Sequence, residues 1–203
     1  MTVDELMALA PVIPVLVVAD PAHARPIAQA LVAGGIRALE VTLRTPAALE
    51  VIAQMAQVPG AVVGAGTVVN AGQVEAAREA GARFIVSPGL TEPLARAAAD
   101  ARLPLLPGVS DAADIMRGLD LGLSRFKFFP AEASGGRPAL KALSAPFFQC
   151  RFCPTGGIGP DTAADWLALP SVACVGGSWL VPAGEPDPAR IEALARAAAA
   201  LPR

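Results

Sequence analysis

Short apolar runs alternate with alanine-rich stretches along the whole chain, and glycine, proline or a small polar residue stands at most of the junctions. Eight apolar runs read as strands, at 12–18, 38–42, 61–65, 84–87, 103–107, 126–129, 149–153 and 172–175. They are short and continuously hydrophobic, the pattern of parallel strands covered on both faces. Between them the spacing predicts helices at 22–33, 46–57, 71–80, 92–101, 112–119, 138–143, 161–169 and 188–200, with a further helix over 1–10. Thr45-Pro46, Thr91-Glu92-Pro93, Ser110-Asp111 and Pro160-Asp161 read as helix openings. Gly34-Gly35 and Gly81 read as helix stops. Strict strand–helix alternation predicts a parallel α/β fold, and eight units can close into a (β/α)8 TIM barrel with an extra N-terminal helix. A doubly wound open sheet is the alternative. Against it, Gly64-Ala65-Gly66 is followed by Val69 where a dinucleotide fingerprint needs its third glycine. No linker or low-complexity tract interrupts the pattern, so residues 1–203 are expected to form one domain.

Composition narrows the function. Hydrophobic residues make up 54% of the 203 positions, and the mean hydropathy is +0.51. The most apolar stretch, 6–19, is interrupted by Pro11 and Pro14 and is too short to span a bilayer. Asp4 and Glu5 precede it, where a secretory signal would carry positive charge. These features predict a cytoplasmic protein with no membrane partner. A net charge of −2 with no basic stripe argues against nucleic acid. The three cysteines do not suggest a disulfide framework. Cys150 and Cys153 have C-x-x-C spacing, but residues three apart on a strand face opposite sides and do not pair. His23 is the single histidine, so neither a metal cluster nor a histidine-based triad is expected.

Lys127 is one of only two lysines and lies in Arg125-Phe126-Lys127-Phe128-Phe129-Pro130, an aromatic run that reads as a buried strand. An ammonium there loses hydration, which disfavours its charged form. The neutral amine is a nucleophile suited to a Schiff base with a carbonyl. The other reading is a lysine at a strand end that reaches out to water. Glu40 lies inside the second apolar run, where an unpaired carboxylate is costly. It reads either as half of a core salt bridge with Arg44 or as a general acid/base facing Lys127. Arg44 has the planar fork that suits a substrate carboxylate, or is an ordinary surface arginine. Thr67 and Thr155, after the third and seventh strands, are turn hydroxyls or ligands for a small acid.

Gly156-Gly157 and Gly176-Gly177 follow the last two strands, where barrels build phosphate sites from backbone N–H groups and a helix N-terminus. Ser178 adds a hydroxyl. Tight turns alone are the other reading.

Six strings, taken together, resemble the 2-dehydro-3-deoxy-6-phosphogluconate aldolase family. They are Glu40-Val41-Thr42-Leu43-Arg44, Gly64-Ala65-Gly66-Thr67-Val68, Ser87-Pro88-Gly89, Phe126-Lys127-Phe128-Phe129-Pro130-Ala131-Glu132, Pro154-Thr155-Gly156-Gly157-Ile158 and Gly176-Gly177-Ser178-Trp179. The resemblance spans nearly the whole chain. It implies a barrel, a class I aldolase of the Entner–Doudoroff pathway that needs no cofactor or metal, a phosphorylated keto acid as substrate, and a homotrimer. It assigns the Schiff base to Lys127 and proton transfer to Glu40. Arg44 and Thr67 then hold the pyruvate end, with Thr155 as a helper. Gly156, Gly157, Gly176, Gly177 and Ser178 match the phosphate side, and Pro88 and Phe129 line the pocket. Ser134 and Gly159 depart from the pattern, where some relatives carry Asn and Ser. Three rivals stay open: a sister aldolase for the phosphogalactonate epimer or 4-hydroxy-2-oxoglutarate, a barrel isomerase without covalent chemistry, and a non-catalytic sugar-phosphate sensor.

Overall fold

The computed structural model describes residues 1–202. Nine strands lie among them: β1 (Val12–Leu16), β2 (Ala38–Thr42), β3 (Val62–Gly66), β4 (Ile85–Val86), β5 (Leu105–Leu106), β6 (Gly108–Val109), β7 (Arg125–Phe128), β8 (Arg151–Pro154) and β9 (Val175–Gly177). The pairings between them are parallel. They form a six-stranded sheet in the order β5-β4-β3-β2-β1-β9 and a three-stranded sheet in the order β6-β7-β8. The helices are α1 (Val3–Ala8), α2 (Ala24–Ala33), α3 (Ala48–Met55), α4 (Ala71–Glu79), α5 (Glu92–Asp100), α6 (Ala112–Asp120), α7 (Gly136–Ser144), α8 (Ala163–Leu167) and α9 (Pro188–Ala199). This is an α/β fold on a curled parallel sheet.

Of the fifth predicted strand, 103–107, only Leu105–Leu106 is β5, and a further short strand, β6, follows it at Gly108–Val109. Pro107 lies between β5 and β6, and a proline has no N–H to give to a ladder. The chain pairs with β4 before it and with β7 after it. The eighth strand begins three residues later than expected because Val172 makes only an isolated bridge to Phe152. Helix boundaries also shift. Residues 21–23 form a short 3-10 turn before α2. Thr45 does not cap α3, which starts after Ala47, and its hydroxyl instead donates to the Val18 carbonyl. At α6 the cap is Asp111, which accepts from the Asp114 N–H. The opening expected at Pro160-Asp161 falls on turn residues before α8.

Side-chain alternation along the strands divides the core in two. Leu39 and Val41 on β2, and Phe126 and Phe128 on β7, belong to the outer cluster under the helices. A second cluster joins Ile13, Ala38, Val62, Phe84, Val86, Leu106, Cys153 and Cys174, and includes Leu6 and Met7 of α1. Helix α1 therefore packs against residues of the opposite strand face. A capping box between Thr2 and Glu5 fixes its start, and Asp4 pairs with Arg125 at 2.5 Å. The high apolar content follows from this arrangement, because the strands are covered on both faces. No helix among the described residues is long and apolar enough to cross a membrane.

Candidate active site

The same alternation positions the chemistry. With Leu39 and Val41 facing out, Glu40 faces in; with Phe126 and Phe128 facing out, Lys127 faces in. The two meet, with the Lys127 Nζ donating to Glu40 Oε1 at 3.2 Å. Lys127 is 4% exposed and Glu40 2%, so the lysine does not reach out to water. Nor does Glu40 pair with Arg44, as the salt-bridge reading would have it; its ion partner is Lys127. The Phe129 ring centroid lies 5.2 Å from Nζ, within cation–π range. A buried pair of this kind costs about several kcal/mol per ion in lost hydration. It also offers an internal proton acceptor. If the ammonium passes its proton to the carboxylate, a nucleophilic amine forms without a base from solvent.

Glycines make the space. Gly66 on β3 lies so close that a Cβ there would overlap the Glu40 carboxylate. Gly108, the register partner of Lys127, packs against the Pro88 carbonyl with no room for a side chain. Gly176 is bridged to Thr155, and a Cβ on it would overlap the threonine hydroxyl. Gly177 makes way in the same sense for the Trp179 ring. Gly176 and Gly177 thus each have a packing role within β9, with exposed Ser178 directly after them.

Arg44 and Thr67 come together beside this pair, at the ends of β2 and β3, with Arg44 Nε donating to Thr67 Oγ1 at 3.2 Å. Thr67 has φ of 60°, a left-handed conformation that a β-branched residue rarely adopts. Thr155 is buried, with its hydroxyl 3.9 Å from the Cys153 sulfur and 3.3 Å from the Cys153 carbonyl oxygen. Gly156 and Gly157 form a turn with φ of 105° and 80°. Among the described residues, the Gly157 N–H finds no protein acceptor, whereas the Gly156 N–H is turned toward the Gly176 carbonyl by the Thr155–Gly176 bridge. The expected helix N-terminus is not at this turn, since α8 begins only at Ala163. The Phe129 ring lies against Gly156. A cleft lined by Val15, Val17, Asp20, His23 and Ser178 opens beside the strand ends.

Two residues absent from the predicted site stand next to it. Glu132 Oε1 accepts from the Trp166 indole N–H at 3.0 Å. Trp166 is fully buried, so this carboxylate satisfies its single polar atom, which unpaired would cost about 1–3 kcal/mol. Glu132 ends one of the strings quoted above, but no rule of spacing ties it to Trp166. No group of three or more His, Cys, Asp or Glu among the described residues could hold a metal ion.

The sequence model of the KDPG and KHG aldolase family matches residues 3–194. The 2-dehydro-3-deoxy-phosphogluconate aldolase of Zymomonas mobilis is 62% identical over 99% of this chain and 97% of its own. A crystal structure of the 2-keto-3-deoxy-6-phosphogluconate aldolase of Zymomonas mobilis ZM4 with 3-phosphoglycerate superposes with a TM-score of 0.97 at 62% identity. It covers 99% of this chain and 96% of that one. A Legionella pneumophila KDPG aldolase, solved with pyruvate captured as a covalent carbinolamine intermediate, gives a TM-score of 0.95 at 45% identity. It covers 98% of this chain and 99% of that one. The likeness carried by six short strings thus extends across the fold, and the chain belongs to the KDPG and KHG aldolase family.

Proposed function

We propose that this protein is a class I aldolase that cleaves 2-dehydro-3-deoxy-6-phosphogluconate to pyruvate and glyceraldehyde 3-phosphate. The observation that carries the reading is the buried Lys127–Glu40 contact at 3.2 Å. A lyase of this family accounts for a buried amine beside a carboxylate, whereas an isomerase or a sugar-phosphate sensor gives no reason to bury Lys127.

In the proposed sequence the Lys127 amine attacks the C2 carbonyl carbon, forming a carbinolamine. Loss of water gives an iminium. Glu40 takes the proton of the C4 hydroxyl. The C3–C4 bond breaks, its electrons pass into the iminium as an enamine, and the phosphorylated aldehyde leaves. Protonation at C3 and hydrolysis release pyruvate and restore the amine. Arg44 and Thr67 hold the keto acid's carboxylate within reach of Nζ. Thr155 adds a hydroxyl, while Pro88 and Phe129 line the pocket. The Gly156–Gly157 turn, whose Gly157 N–H has no protein acceptor among the described residues, forms the phosphate side with Gly176, Gly177 and Ser178.

We read the two sheets as one closed (β/α)8 barrel, a single domain over 1–203 with α1 as an added N-terminal helix. Support comes from both seams: β5 and β6 are one run of chain broken at Pro107, and Thr155 bridges to Gly176. The same reading makes the protein a cytoplasmic homotrimer. Its support is the family likeness and the exposed Met116 and Phe148, which suit faces buried between subunits.

The test is pyruvate with borohydride. Reduction should add the mass of the trapped keto acid to Lys127 alone, as read by peptide mapping, and abolish cleavage. Adduct at another residue, or turnover by Lys127→Ala, would remove the mechanism. Comparing cleavage of the gluconate and galactonate epimers and of 4-hydroxy-2-oxoglutarate separates the sister activities.

A further inference from the structure

We propose that Glu132 is a positioning residue, one that fastens the loop between β7 and α7 to α8 and so holds the Gly156–Gly157 turn in shape for the substrate phosphate. The inference rests on reading that turn as the phosphate side. Glu132 touches the turn from two directions. Its N–H donates to the Gly156 carbonyl at 3.1 Å, alongside Ala131 N–H to Thr155 carbonyl at 2.8 Å. Its side chain lies directly over Gly157, where a Cβ would come within 2.6 Å of Glu132 Cγ. From there the side chain passes Gly136, whose Cβ would stand 3.2 Å from Oε2, and ends on the Trp166 indole at 3.0 Å. Trp166 is itself wedged beside Phe128, with ring centroids 6.4 Å apart, so the far end of the link is anchored to β7. A carboxylate beside an anion site repels its ligand. Its presence there calls for a geometric role, and the indole contact supplies one.

The experiment compares three readouts in the intact enzyme: cleavage of 2-dehydro-3-deoxy-6-phosphogluconate, cleavage of its unphosphorylated counterpart, and exchange of pyruvate methyl protons with deuterium. Glu132→Ala is expected to raise KM for the phosphorylated substrate about tenfold, with the other two readouts within about twofold of the parent. Glu132→Gln keeps an acceptor for the indole and removes the repulsion, so its KM should match or fall below the parent value. Trp166→Phe deletes the donor but keeps a ring, and should repeat the KM defect. An unchanged KM in Glu132→Ala, or an equal loss in all three readouts, overturns the proposal. If Glu132→Ala does not fold, the contrast between Trp166→Phe and Glu132→Gln decides. A parent enzyme that takes both substrates equally well overturns the phosphate reading and the inference with it, and shows this before any substitution is made.

Discussion

Lys127 Nζ and Glu40 Oε1 stand 3.2 Å apart although 87 positions of sequence separate them. One belongs to the three-stranded sheet and the other to the six-stranded sheet. The contact therefore depends on the curvature that brings β2 and β7 face to face. Each residue makes the other's burial tolerable. Lys127→Met is expected to lower stability by about 3 kcal/mol, because it strands a carboxylate away from water. The double variant Lys127→Met/Glu40→Gln should recover much of that loss, with a coupling of about 1–3 kcal/mol. Urea unfolding of the four proteins measures it, and strict additivity would show that the two groups do not support one another.

Gly66 decides where the Glu40 carboxylate can sit. Its register partner on β2 is Thr42, and its open side faces Glu40. Gly66→Ala drives a methyl into the carboxylate and must displace it from Lys127. The expected cost in stability is about 1–3 kcal/mol, the usual range for an overpacked core. Borohydride trapping on Lys127 should survive, while pyruvate proton exchange slows about a hundredfold through displacement of the proposed acid/base. NMR exchange rates check this; an undiminished rate would mean that the carboxylate position does not matter.

Much of this was legible in the sequence because it lies in local pattern. Strand–helix alternation yields the parallel α/β layout, and an ion inside an apolar run marks Lys127 and Glu40. What periodicity could not supply was the pairing between distant strands. Glu40 had Arg44 nearby in sequence and Lys127 nearby in space, and only the fold separates the two. Gly64-Ala65-Gly66 read as a failed nucleotide fingerprint, because the carboxylate it accommodates is a long-range neighbour. Pro107 was visible, but the transfer of pairing from β4 to β7 on either side of it is a property of curvature. The role of Glu132 is hidden from sequence for the same reason: its partner, the Trp166 indole, belongs to a different β/α unit.

The cysteines turn the same geometry into a chemical expectation. Cys150 packs in the outer cluster and Cys153 in the inner one, on opposite faces as strand alternation requires. All three cysteines are buried. Burial pushes the Cys150 thiol above its ordinary range, although Arg125 and Arg151 pull it the other way. A buried, protonated thiol is a poor nucleophile. A disulfide-exchange reagent should find no reactive thiol in the native protein and three after denaturation. The raised Cys150 value also has a sign in pH. Above about 8.5 the unfolded thiol ionises ahead of the folded one, so unfolding releases a proton and stability falls as pH rises. Denaturation midpoints at pH 8 and pH 10 for the parent and Cys150→Ala test this. An equal drop in both would assign the loss to other groups.

Thr67 holds its conformation at a cost. A β-branched residue at φ of 60° is strained by about 1–2 kcal/mol. The return is the position of its hydroxyl, which accepts from Arg44 Nε at 3.2 Å. Glycine tolerates this backbone freely, and its added unfolded-state entropy costs only about 0.4–1 kcal/mol. Thr67→Gly is therefore expected to leave Tm unchanged or raise it by a few degrees. The same change frees the Arg44 guanidinium from its neighbour and removes the proposed donor to the keto acid. KM for the substrate should rise about tenfold, the worth of one charge-assisted hydrogen bond. Calorimetry and steady-state kinetics on the one variant read both effects. A lowered Tm would show that the hydroxyl stabilises the fold, and an unchanged KM would take Thr67 out of the site.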